Sequence, residues 1–227
     1  MGAESVSEKI VVITGANRGI GLALVTEYLQ RGAKVFALCR KSTEALSATA
    51  ANVIEGVDVT AVQSLVMVQQ RLQGLAIDIL INNAGVLSSE SLGSINYEDV
   101  LKQFEINAIA PLRVTEALLP QLKQGAKVAL VTSRMGSISD NGSGGYYGYR
   151  MSKAALNAAG MSLARDLASQ DIAVAILHPG FVQTDMVGNA GDISASTAAQ
   201  RLSARIDDLN LANTGTFWHS SGEVLPW

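Results

Sequence analysis

Tyr149 and Lys153 stand four residues apart in the run YGYRMSK at positions 147–153. On a helix, residues so spaced share a face one turn apart, so both side chains can point into one space. A free phenol titrates near a pKa of about 10, and a neighbouring ammonium stabilises its ionised form. Each unit of lowering corresponds to about 1.4 kcal/mol and brings the phenol toward the range where proton transfer works near neutral pH. By itself the pair reads equally well as an ordinary tyrosine and a solvated cation. Tyr146 and Tyr147 have no lysine four residues on and read as packing or pocket wall.

A second stretch has the composition of an anion site. TGANRGIG, at 14–21, follows an apolar β-branched run and opens an amphipathic one. Gly15, Gly19 and Gly21 allow a tight turn and a close approach of backbone to ligand. Free amides at a helix start, reinforced by the helix dipole, attract a phosphate or pyrophosphate. The spacing G-x-x-x-G-x-G differs from the common dinucleotide pattern G-x-G-x-x-G.

The elements that must position these residues are legible as alternating runs. Strands are predicted at 10–14, 34–38, 52–59, 77–85, 126–133, 172–180 and 214–218. Helices are predicted at 21–32, 61–74, 96–106, 108–124 and 149–169. Continuous apolar strands separated by helices imply a parallel sheet covered on both faces. The fold class is therefore α/β, a single-domain, Rossmann-type, doubly wound parallel sheet of about seven strands spanning 1–227. Ligands bind such sheets beyond the carboxyl ends of the strands, where Gly15, Arg40, Asp58, Asn83, Ser133 and Pro179 collect.

With 48% hydrophobic and 16% charged residues among 227, the chain has the balance of a globular protein with an extensive core. A net charge of −3 gives no support for nucleic acid or an anionic membrane as partner. Cys39 is the only cysteine, so no intramolecular disulfide forms and a reducing, cytoplasmic location is expected. No apolar stretch reaches the roughly 18 residues of a membrane span. His178 and His219 lack companions at metal-ligand spacing and read as structural histidines, so no metal is expected.

Taken in order, TGANRGIG, NNAG at 82–85, Asn107 in FEINAIAPLRVTEALLP, Ser133 in LVTSRMG, the Tyr149/Lys153 pair and HPGFVQTDM at 178–186 resemble the short-chain dehydrogenase/reductase family. Within it, the stretch RMGSISDNGSGGYYGYRMSKAALNAAG is most similar to C-factor and sniffer-type carbonyl reductases. The resemblance implies a catalytic set of Asn107, Ser133, Tyr149 and Lys153. Tyr149 would be general acid in carbonyl reduction and base in the reverse reaction. Lys153 would lower its pKa and hold the nicotinamide ribose, Ser133 would orient the carbonyl, and Asn107 would interrupt its helix and hold a water that feeds protons to the lysine. Ser133 precedes Tyr149 by sixteen residues, a longer spacing than in many members, which keeps Ser137 and Ser143 as rivals.

The same resemblance implies a cofactor site lined by Gly15, Asn17, Arg18, Gly19, Ile20 and Gly21. It continues through Arg40, Asp58, Val59, Asn83, Ala84 and Gly85, then Tyr149 and Lys153, and ends at Pro179, Gly180, Val182 and Thr184. At the end of the second strand the acidic residue of NAD-preferring members is replaced by Cys39, followed by Arg40 and Lys41. A guanidinium grips a 2′-phosphate that a carboxylate would repel, so NADP(H) is the expected cofactor. The expected partner is a small carbonyl or alcohol substrate. The alanine-rich run AALNAAGMSLA leaves a homodimer or homotetramer open, and residues 187–213 are expected to form a substrate lid. A binding sensor with little turnover, or a reductase of 3-oxoacyl thioesters, are the alternatives.

Overall fold

A computed structural model describes Val6 and residues 8–227. The described residues form one seven-stranded sheet in the order β3-β2-β1-β4-β5-β6-β7, with every adjacent pair of strands parallel. The strands are β1 (Ile10–Thr14), β2 (Lys34–Leu38), β3 (Asn52–Ile54), β4 (Ile77–Asn82), β5 (Leu122–Val131), β6 (Ala173–His178) and β7 (Phe217–His219). The helices are α1 (Gly19–Gln30), α2 (Glu44–Ser47), α3 (Val62–Arg71), α4 (Tyr97–Phe104), α5 (Ala110–Leu118), α6 (Tyr147–Asp166) and α7 (Ala195–Asp208).

Alternate residues of each strand feed two cores, as the period of a β-strand requires. Val11 and Ile13 point into one core with Leu24 and Tyr28 of α1 and Leu202 and Ile206 of α7. Val12, Leu80 and Leu130 point into the other with Val68 of α3, Leu118 of α5 and Leu156 of α6. Strand order reverses between β1 and β4, which opens a crevice at the carboxyl ends of the strands.

Several boundaries differ from the sequence reading, and four of the differences bear on the site or the core. β3 stops at Ile54, and the chain turns at Gly56, whose φ is +74°. The helix expected to reach 124 ends at Leu118, because Pro120 cannot donate within a helix. The expected gap between two helices at 107 is instead a π-helical turn, Glu105–Ile109, that joins α4 to α5 without a break. The stretch 187–213, expected as a lid, contains α7, whose Ala198, Ala199, Leu202 and Ile206 are buried. That helix belongs to the core; of 187–213 only Val187 lines the crevice, together with Phe181, Val182, Thr184, Asp185 and Met186 just before it. On α6, Gly160 packs inward, where a Cβ would meet Ile176 at 2.7 Å and Leu130 at 3.0 Å; of the run's alanines, Ala164 is buried, Ala154, Ala155 and Ala159 are half-buried and Ala158 is exposed.

Candidate active site

A cleft of about 1140 Å³ runs along the carboxyl ends of β1 to β6 and passes over the point where strand order reverses. Every site residue named from the sequence lines it except Asn107, which lies directly behind its wall with no exposed surface.

The glycine turn is held by β4. The Asn83 side-chain amide donates to the carbonyls of Thr14 and Gly15, both at 3.1 Å. The Thr14 hydroxyl accepts from the amides of Asn83 and Ala84, also at 3.1 Å. Gly15 has φ +64°, and a Cβ there would stand 2.8 Å from Ala84 Cα; one at Gly21 would fall within 2.1 Å of the Gly15 carbonyl. No side chain caps the start of α1, so its first amides face the cleft without an intramolecular partner of that kind. Glycine-built backbone at an uncapped helix start fits a pyrophosphate.

Around this turn the polar residues reach outward. Asn17 donates to the Lys41 carbonyl at 3.0 Å and its own carbonyl accepts from Thr43, tying the turn to the segment after β2. Arg40 and Lys41 are exposed there. Asp58 accepts from the Thr60 amide and hydroxyl at 2.9 and 2.7 Å, which lowers its pKa, with a smaller contribution from Arg40. Arg18 pairs with Asp185 at 3.4 Å, both well exposed, so it links the glycine turn to the 181–187 segment. Ile20 and Val59 are half-buried in the wall.

At the other end, Tyr149 and Lys153 project from α6 as their spacing requires. Lys153 is 4% exposed, and its Nζ donates to the Val131 carbonyl at 2.9 Å. Burial pushes its ammonium down to about 8. Its Nζ lies 5.7 Å from the centre of the Tyr149 ring. The expected depression of the tyrosine by lysine is not what this geometry produces. Burial raises the Tyr149 pKa, and the opposing pull is a hydrogen bond with Ser133. Ser133 lies two residues beyond β5 and caps a short turn, its hydroxyl accepting from the Met135 amide at 3.2 Å. Of the rivals, Ser137 accepts from the Asp140 amide, and Ser143 accepts from Arg150 at 2.8 Å.

Asn107 sits in the π turn, a form concentrated at functional sites. Its side chain clamps Val86: Oδ1 accepts from the Val86 amide and Nδ2 donates to the Val86 carbonyl, both at 2.8 Å. Nδ2 also reaches Ser152 at 3.0 Å. A Cβ on Gly85 would stand 3.2 Å from Asn107 Oδ1 and 3.7 Å from Lys153 Nζ, so these three converge. Pro179, Gly180, Val182 and Thr184 close the cleft after β6. The Pro179 carbonyl accepts from Ser220 at 2.8 Å, and Val182 bridges to Ile193.

Sequence reasoning missed two contributors. His178, read as structural, lines the cleft half-buried, with its ring edge-on to His219 at 5.1 Å. Burial first, then the charges of His219, Arg134 and Lys153, push its pKa down to about 3. Its place directly before Pro179 was the available signal. Thr14, the last residue of β1 and the first of TGANRGIG, has no role assigned from the sequence; its hydroxyl contacts emerge once the segment after β4 lies beside it.

A doubly wound parallel sheet with a glycine turn at its switch point and a Tyr/Lys pair across the cleft defines a dinucleotide-binding oxidoreductase. The chain belongs to the short chain dehydrogenase family, whose model matches residues 9–194. It is 40% identical over 223 residues to 1-hydroxy-2-glutathionyl-2-methyl-3-butene dehydrogenase of Rhodococcus sp. (strain AD45), covering 96% of this chain and 99% of that one. It is 48% identical over 154 residues to C-signal of Myxococcus xanthus, covering 66% of this chain and 93% of that one. Among solved structures it is similar to the NADPH bound carbonyl reductase from chicken fatty liver. That likeness has a TM-score of 0.88 and 30% identity, over 97% of this chain and 100% of that one.

Proposed function

We propose that this oxidoreductase uses NADPH to reduce a ketone or aldehyde carbonyl to an alcohol, reversibly. The observation that carries the reading is the meeting of Tyr149, Ser133 and Lys153 in one cleft with the glycine turn. NADPH supplies the hydride when bound. The turn 15–21 would hold its pyrophosphate, Arg40 its 2′-phosphate, and Lys153 the nicotinamide ribose. The wall at Pro179–Thr184 would fix which face of the ring meets the substrate.

A phenol whose pKa is raised by burial keeps its proton at neutral pH. A raised pKa alone makes a phenol a weaker acid, so the role of Tyr149 as the acid that protonates the forming alkoxide rests on its place in the cleft beside Ser133 and Lys153, with Ser133 donating a hydrogen bond to the same oxygen. Lys153, whose pKa burial lowers to about 8, gives up its proton more readily than an exposed lysine and so would be suited to a proton relay that serves Tyr149. The clamp of Asn107 on both backbone groups of Val86 holds the segment after β4 beside the cleft, where Lys153 also lies. The Rhodococcus relative, named as dehydrogenase of a hydroxyl-bearing glutathionyl compound, supports testing alcohols that carry a thioether alongside simple carbonyls.

The test is loss of reduced-cofactor absorbance with a panel of aldehydes and ketones, NADPH and NADH side by side. Tyr149→Phe should lower kcat by about 10²–10⁴-fold while NADPH binding is kept. Turnover surviving in the phenylalanine variant removes Tyr149 as the acid. A complete lack of turnover in the parent chain, with NADPH still bound, favours a sensor over an enzyme.

A further inference from the structure

The helix that carries Tyr149 and Lys153 does not cap its own start. Tyr146, the residue before α6, adopts a left-handed conformation with φ +51°, and its side chain makes no capping bond. The cap comes from 58 residues earlier in the chain: Glu90 Oε2 accepts from the Gly148 amide at 3.1 Å. Glu90 lies in the loop between β4 and α4 and is 4% exposed. Its other carboxylate oxygen accepts from the Gln103 side-chain amide of α4, and its backbone carbonyl accepts from the Tyr146 amide at 2.9 Å. Gln103, 1% exposed, accepts in turn from the Ser88 amide at 2.9 Å.

Each polar atom of this buried chain, from Ser88 through Gln103 and Glu90 to Gly148, has a partner. Satisfied buried networks hold one arrangement rigidly, and a carboxylate at a helix N-terminus is further favoured by the helix dipole. The fit is close. A Cβ at position 148 would stand 2.5 Å from Gln103 Nε2, 3.0 Å from Val100 Cα and 3.1 Å from Glu90 Oε1. The anchored residue is adjacent to Tyr149. The anchoring loop also lines the cleft through Val86, Leu87 and Ser89.

We propose that Glu90 is a positioning residue that holds the first turn of α6, and with it the Tyr149 phenol, at its working depth against Ser133 and the β4–α4 loop. The catalytic part of this inference rests on Tyr149 being the acid; the anchoring part does not. The hydrogen bonds of Glu90 run to Gln103, Gly148 and Tyr146, so it acts through the backbone at the start of α6.

The experiment compares the full chain with Glu90→Ala and with the exchange Glu90→Gln/Gln103→Glu. The exchange moves the charge to α4 but keeps an acceptor for the Gly148 amide, a donor between the two side chains and an acceptor for the Ser88 amide. Backbone hydrogen exchange is read at 147–150 and in α1, with kcat, KM and the NADPH dissociation constant measured on the same samples. Glu90→Ala should speed exchange at 147–150 by about tenfold or more while α1 is unchanged. It should lower kcat by about 10²-fold with NADPH affinity within about twofold, and the exchanged pair should recover kcat to within about threefold of the parent. Unchanged exchange at 147–150 in a folded alanine variant overturns the anchoring. Unchanged kcat in that variant overturns the positioning. If Glu90→Ala does not fold, a folded exchanged pair with kcat down about 10²-fold overturns the proposal. A parent chain without carbonyl turnover defeats the carbonyl-reductase reading instead, while the hydrogen-exchange comparison still decides whether Glu90 anchors α6.

Discussion

Arg40 and His178 carry charge arguments that differ in depth. Arg40 is exposed at the end of β2 and influences Asp58 only weakly, so its worth lies in what it offers a ligand. Arg40→Ala should raise the KM for NADPH by about tenfold, the loss of one charge-assisted contact, and leave that for NADH within about twofold. Equal weakening of both, measured by initial rates, removes the 2′-phosphate role. His178 is half-buried in the cleft wall, and burial first, then the charges of His219, Arg134 and Lys153, depress its pKa to about 3. The unfolded chain's histidine takes a proton below about pH 6.5, while the folded one stays neutral. The unfolded state then binds more protons, so this residue's stability contribution is full above pH 6.5 and lost as pH falls toward 3. Between pH 6.5 and 5 the parent should lose about 1–2 kcal/mol more than His178→Asn, read by urea unfolding at both pH values. Identical losses mean the imidazole titrates freely.

The π turn Glu105–Ile109 is where one element's irregularity serves the site. An uninterrupted α-helix from Tyr97 to Leu118 would rotate Asn107 away from Val86, since a π turn adds one residue to a helical ring. The clamp it permits satisfies both backbone groups of Val86 inside the protein. Asn107→Ala leaves those groups without partners and should cost about 2–4 kcal/mol in stability. It should also lower kcat, because the cleft-lining segment at Val86 loses the clamp that positions it. A variant as stable as the parent in urea would show that water replaces the clamp without loss. FEINAIAPL at 104–112 shows helical spacing on both sides of Asn107. A sequence cannot distinguish a break there from a bulge, because both shift the apolar face.

Across the molecule, the cleft draws on both halves of the sheet: the glycine turn and Arg40 from the β1–β3 side, Ser133, Tyr149 and Pro179 from the β4–β7 side. A ligand bridging them stabilises the whole fold by mass action. NADPH at a hundred times its Kd should add about 2.7 kcal/mol, which for a chain of this size raises Tm by about 5–10 °C. NADH at the same concentration should add less. No thermal shift with either dinucleotide would contradict the proposed cofactor site. Among the described residues no helix is long and apolar enough to cross a membrane.

The strand and helix periods, the glycine turn and the Tyr149/Lys153 spacing were legible in the chain because each is a local signal. Val11 and Val12 had to face opposite cores, and residues four apart had to share a face, whatever lay around them. Local patterns likewise identified Asn83 and Ser133, yet not what they touch. That Asn83 pins the glycine turn, that Ser133 rather than Ser143 meets the phenol, and that residues 195–208 form a core helix depend on neighbours distant in sequence. So does the direction of the Tyr149 pKa: proximity to a lysine argues for lowering, and burial, which no run of residues reveals, raises it. The cap on α6 belongs to the same class, since Glu90 and Gly148 meet only when the β4–α4 loop folds back over the helix start. Backbone periodicity is written within a few residues, whereas desolvation and long-range hydrogen bonds are properties of assembled surroundings.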